Sequence, residues 1–158
     1  SQKTFPIPSL KLSRAKGSEL KLRDNPQKPN LNKISTQQVA RLLYEINKNQ
    51  SVSEESSLKM AKILTIDAET RNIKRYDKNL NEFNPVRGFL SASLPNKADF
   101  KGKAGWTSAS RNDAAIITTP NGKTYILVVF AQDRAYASDW TIFPDISKLV
   151  FNKMTDKK

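Results

Sequence analysis

Four apolar positions, Val39, Leu42, Leu43 and Ile46, recur at the spacing of one helix face, and Ser35 with Gln38 three residues later forms a capping box at their start. This predicts a helix over about 36–48. A second start follows at Ser53, where Glu54 and Glu55 suit the positive end of a helix dipole and Leu58, Met60, Ala61, Ile63 and Leu64 supply the apolar positions. Its expected span is about 53–64. Between Thr65 and Asp99, charges of both signs mix with Pro85, Gly88 and Pro95, and no element is predicted. From Lys103 the character becomes β-rich. Residues 114–119, the turn Pro120-Asn121-Gly122 and residues 125–130 read as a hairpin, within strands over about 101–109, 112–119 and 123–131. The last of these is apolar at consecutive positions, which predicts a strand covered on both faces in an interior sheet. Phe143, Ile146, Leu149 and Val150 then share one face of a closing helix over about 140–154, with Pro144 in its first turn.

Residues 1–34 break this regularity: Pro6, Pro8, Pro26 and Pro29 interrupt a basic stretch with little periodicity, which reads as an extended surface segment. The division is therefore 1–34 extended and 35–158 folded. At 158 residues the chain is one domain or part of one. No run approaches the eighteen or so consecutive apolar residues of a membrane span, so no transmembrane segment is expected. The chain begins with Ser1, without a basic head and apolar core after it, so a signal peptide is expected to be absent or already removed.

Composition narrows the chemistry. With no cysteine and no histidine, thiol catalysis, disulfides, a Ser-His-Asp triad and nearly all zinc sites are excluded within this chain, and no metal or cofactor is called for. Net charge is +12, and residues 1–35 carry half of the excess, with eight Lys/Arg against Glu19 and Asp24. Such an arm favours anionic partners in general and selects none of nucleic acid, membrane surface or acidic cell-wall polymer. Phe5 is its one aromatic residue, whereas single-strand readers interleave stacking platforms with cations, so nucleic acid is ranked last.

The run Lys103-Ala104-Gly105-Trp106-Thr107-Ser108-Ala109-Ser110-Arg111-Asn112-Asp113, followed by a strand pair and a helix, resembles the C-terminal block of class A β-lactamase-like serine hydrolases, which include penicillin-binding peptidases. There a Lys-Thr/Ser-Gly strand lines the active site, an Arg/Thr-Asn-Asp turn follows, and a hairpin and final helix complete the sheet. Residues 35–43 resemble the helix after that family's active-site loop, and Phe89-Leu90 with Leu94-Pro95 the stretch before its Lys-Thr-Gly strand. The resemblance covers roughly residues 31–154. It implies an α+β fold of α/β sandwich type, the C-terminal part of a β-lactamase-like domain, with an antiparallel sheet covered by helices. By resemblance, Lys103 is the catalytic cation that holds the substrate's carboxylate and the local proton network. The N–H of Trp106 would form half of an oxyanion hole, Gly105 would keep the strand open, and Thr107, Ser108 and Arg111 would contact substrate. A lysine beside a glycine on a strand edge has this capacity in its own right, since it sets a cation next to exposed backbone N–H groups.

The chain also departs from the pattern. Ala104 stands where the family has Thr or Ser, so a hydroxyl that would bind the substrate's carboxylate is missing, unless Thr107 and Ser108 replace it. Three Ser-x-x-Lys spacings occur, Ser13/Lys16, Ser18/Lys21 and Ser56/Lys59, against roughly two expected by chance, and none has the family's surroundings. Glu19-Leu20 only loosely matches the family's Glu-x-x-Leu-Asn loop. The expected function is therefore that of the C-terminal portion of a serine hydrolase acting on penicillins or D-Ala-D-Ala cell-wall peptide. An N-terminal fragment or partner chain would supply the nucleophile, in the periplasm or outside the cell. The alternative is a non-catalytic module of the same fold that holds an anionic cell-wall or protein ligand.

Overall fold

The computed structural model describes residues 34–77 and 83–156. The extended segment expected over 1–34 lies outside these residues except for Ile34. The first element is helix α1, Thr36–Asn47, and both halves of its capping box form: Gln38 N–H donates to Ser35 Oγ at 3.2 Å and Ser35 N–H to Gln38 Oε1 at 2.8 Å. Helix α2, Glu54–Leu64, is capped by Ser53, whose hydroxyl accepts the Ser56 N–H. The turn between them passes through Asn49 and Val52 at positive φ and is tied from inside by the buried Ser57, which accepts the Ser51 N–H.

The charged stretch with no predicted element contains two. Helix α3, Ala68–Tyr76, is capped by Asp67, which accepts the Thr70 N–H at 2.7 Å. A 3₁₀ turn, Leu90–Ser93, follows. Hydrophobic periodicity misses α3 because the residue it buries is Arg71, while Ile73 and Tyr76 are exposed.

Three strands then build one antiparallel sheet in the order β1 (Asp99–Thr107), β2 (Ser110–Thr118), β3 (Thr124–Ala131). In register, Lys103 lies opposite Ala114, Trp106 opposite Arg111, and Ala115 opposite Leu127. A short helix α4, Arg134–Ser138, and the closing helix α5, Ile142–Thr155, complete the fold.

Side chains alternate between two cores, as the pleat requires. Phe100, Ala104, Ala115 and Ile117 join Phe89, Leu90, Leu94 and Phe143 on the α5 side. Ala114 and Ile116 meet Leu43 and Ile46 of α1 on the other, with Met60, Ala61 and Leu64 of α2 packed against them. The run in β3 behaves as its continuous hydrophobicity predicts in one respect: Tyr125, Leu127 and Val129 join one core, and Ile126 and Val128 the other. Yet it is not the interior strand. That place belongs to β2, buried at every position from Asp113 to Ile117, while β3 ends the sheet order among the described residues and stays half-buried. The architecture is α+β, an antiparallel sheet between helices.

Candidate functional site

The outer edge of β1 is the focus, because two residues set its limit. Thr65 bridges Lys101, and Ile66 N–H donates to the Phe100 carbonyl at 3.1 Å, so the edge is covered at its start. In an antiparallel ladder, outward-turned and inward-turned residues alternate. Since Phe100 faces outward, Gly102, Ala104 and Trp106 also turn their N–H and C=O away from β2. From Ala104 onward no strand of the described residues pairs with that edge.

Lys103 is exposed beside this opening. Its ammonium donates to the outward carbonyl of Ala104 at 2.6 Å and lies 6.0 Å from the centre of the Phe83 ring. A side chain built at Gly105 would meet no atom of the described residues within 4 Å, so the strand is unobstructed there. The structure thus brings together Lys103, Gly105 and the outward N–H of Trp106. Cation and backbone donor on one open edge suit a carboxylate or a developing oxyanion.

The other candidates lie elsewhere. The Trp106 side chain turns to the opposite side, where its indole N–H donates to the Ala137 carbonyl at 2.8 Å. Arg111, expected to contact substrate, is fully enclosed on that same side. Its guanidinium donates to the carbonyls of Tyr136 (3.2 Å), Gly88 (2.9 Å) and Ala137 (2.7 Å), and it lies between the Phe89 and Trp140 rings at 4.8 and 4.7 Å. Burial depresses its pKa, which the nearby Asp139 partly opposes. The cation holds α4 to the sheet and does not reach the Lys103 edge. Thr107 shares a hydrogen bond with Ser110 at 2.8 Å and accepts the Ala109 N–H, so its hydroxyl closes the β1–β2 turn, and Ser108 sits exposed at that turn's tip. Neither hydroxyl stands in for the one missing at Ala104, whose own methyl is buried in the α5-side core.

Two neighbours of the edge went unweighed in the sequence. Asp113, the acid of the Arg111-Asn112-Asp113 run, is buried, with Leu90 N–H and Ala114 N–H donating to its two oxygens at 2.9 and 2.8 Å. Burial raises its pKa to about 6, against the pull of those two N–H bonds and of the Lys103 charge. An acid in an apolar strand was the available signal. Phe83, the ring under Lys103, gave none, since it sits in a stretch without periodicity.

Of the Ser-x-x-Lys spacings, Ser13/Lys16 and Ser18/Lys21 lie outside the described residues, as do Glu19 and Leu20. Ser56/Lys59 falls on α2, where Lys59 pairs with Glu55 at 2.5 Å in solvent and Ser56 bonds the Ser53 hydroxyl. Among the described residues no three acidic side chains gather as a metal site, and no helix is long and apolar enough to cross a membrane.

The sequence matches the profile of the beta-lactamase enzyme family over residues 7–154. No curated protein matches it. Among solved structures, a PBP-A variant in an acyl-enzyme complex with penicillin G superposes with a TM-score of 0.60 at 19% identity, covering 82% of this chain and 44% of that one. A β-lactamase from Sphaerobacter thermophilus gives 0.57 at 20% identity, covering 87% and 50%. The extended-spectrum β-lactamase TLA-1 gives 0.58 at 22%, covering 90% and 48%. At these identities the likeness is one of fold, and the chain spans about half the length of each of these structures.

Proposed function

We propose a function from the fact that the chain belongs to the beta-lactamase enzyme family: it is the C-terminal portion of a serine hydrolase that acts on penicillins or D-Ala-D-Ala cell-wall peptide by serine acylation. The open β1 edge, with exposed Lys103 and the outward N–H of Trp106, is the observation that carries this reading. In it Lys103 holds the substrate carboxylate and biases the local proton network, Trp106 N–H supplies one donor to the carbonyl oxygen as negative charge develops, and Gly105 leaves room for the acyl group. The serine comes from a segment of the domain that this chain does not contain, and a periplasmic or extracellular location goes with a cell-wall substrate. The PBP-A structure with penicillin G attached as an acyl-enzyme supports the substrate class.

Ala104 favours a second reading, a non-catalytic module of the same fold that captures an anionic cell-wall or protein ligand on the same edge. Intact mass of the protein from its own host, before and after penicillin, separates the two. A penicillin-sized gain on a species above 17.8 kDa, or on one of two co-purifying chains, supports the hydrolase. A lone unmodified chain of that mass, with salt-sensitive ligand binding, supports the module.

A further inference from the structure

Helix α3 carries Arg71 and Arg75 one turn apart, and both guanidiniums dock on the same short stretch of backbone, residues 94–98. Arg71 donates one terminal nitrogen to the carbonyls of Ala98 (2.6 Å) and Asn96 (3.4 Å), and Arg75 donates one to the Leu94 carbonyl (2.9 Å). Arg71 is 1% exposed, yet its Nε and Nη1 meet no hydrogen-bond acceptor, and neither does the buried Nε of Arg75. Among the described residues the ion pairs are Arg41 with Glu45 and Lys59 with Glu55, so no carboxylate bridges this pair.

We propose that Arg71 and Arg75 form an oxyanion site between α3 and residues 94–98, taking a carboxylate or a phosphate-like group. Buried guanidinium N–H groups are satisfied in stable proteins. Two like charges at this spacing repel, and burial and Arg75 together depress the Arg71 pKa, with Asp99 and Asp67 opposing. Water would satisfy the N–H groups and leave two neighbouring cations without a directly paired carboxylate, whereas an oxyanion answers both, and its geometry matches the guanidinium fork. Arg75, half-buried, marks the side from which the anion enters. The site is separate from the β1 edge and does not depend on the hydrolase reading.

The test is thermal unfolding of this chain as chloride is exchanged for inorganic phosphate at constant ionic strength, with Arg75→Gln and Arg71→Gln as variants. Arg75→Gln alters a half-exposed side chain and is expected to fold, which circular dichroism checks. The expected result is a saturable rise in Tm for the parent and an apparent phosphate affinity at least tenfold weaker in Arg75→Gln. No saturable rise, or the same rise in the variants, overturns the proposal. Repeating the titration on the protein isolated from its host identifies the source. A response retained there marks a free anion, and a response seen only in this chain marks a site already occupied in the host's protein.

Discussion

Replacing Arg111 by Met keeps much of its volume and removes its charge and donors, which makes it the sharpest test of where that cation works. Three hydrogen bonds and two ring contacts are lost. The Ala137 carbonyl keeps the Trp106 indole N–H, so two carbonyls, those of Gly88 and Tyr136, lose this partner. An unsatisfied carbonyl in the interior costs about 1–3 kcal/mol, and recovered apolar contact with the Phe89 and Trp140 rings offsets part of the sum. The net expectation is a loss of about 3 kcal/mol. At this chain size that is a fall in Tm of about 6–12 °C. Arg111→Lys should cost nearly as much, because a single ammonium cannot span three carbonyls and both rings. Urea denaturation followed by tryptophan fluorescence reads this directly, since Trp140 packs on the guanidinium. A stability change below about 1 kcal/mol together with lost ligand binding would refute the reasoning and return Arg111 to the substrate side.

Asp113 should make stability pH-dependent. Burial raises its folded-state pKa from 3.8 to about 6, so the folded chain holds the proton more tightly and stability falls as pH climbs through that window. The fall between pH 4 and pH 7 is about 2 kcal/mol for this group, read as the difference between parent and Asp113→Asn in unfolding free energy at those two pH values. A difference that stays constant would sink the assignment. Gly102→Ala places a methyl 2.7 Å from the Phe100 ring and 2.9 Å from the Ala114 carbonyl, and should cost about 1–3 kcal/mol. Gly105→Ala meets nothing and should stay within about 0.5 kcal/mol of the parent. Equal losses in denaturation at the two glycines would contradict the open edge. Lys103→Met, at an exposed position, should leave Tm unchanged within error and, on the proposed hydrolase function, abolish penicillin acylation of the host's protein, and acylation retained by the variant would remove Lys103 from the site.

Legibility followed locality. The cap of α1 was readable because Ser35 and Gln38 satisfy each other within one turn, and its face because its apolar residues repeat, whereas of the apolar residues expected on α2 only Met60, Ala61 and Leu64 reach the core and Leu58 and Ile63 are exposed. Helix α3 escaped notice because its buried residue is an arginine and its apolar residues face solvent, inverting the usual code. The central place of β2 was not legible for another reason: which strand is central depends on pairings between distant segments, and both runs are apolar. At the site, the Lys-x-Gly spacing pointed to the open edge of β1. Sequence order could not say that Trp106 and Arg111, opposite each other in register, turn their side chains to the far side of the sheet. Thr107 looked available as a hydroxyl because the turn that uses it is formed only when Ser110 folds back.

The position of β3 has a practical consequence. Its eight residues, Thr124 to Ala131, carry no charge, and they end the sheet among the described residues. An uncharged, β-branched and aromatic strand with an uncovered edge is a template for pairing with its own kind. Lys123 before it, and Asp133 and Arg134 after it, act as gatekeepers only at its ends. In any preparation that leaves that edge bare, concentration would set the fate of the chain, with strand-to-strand association into soluble oligomers and then fibrils competing with the monomer. A lysine in place of Thr124, the exposed position of β3, would extend its life in solution.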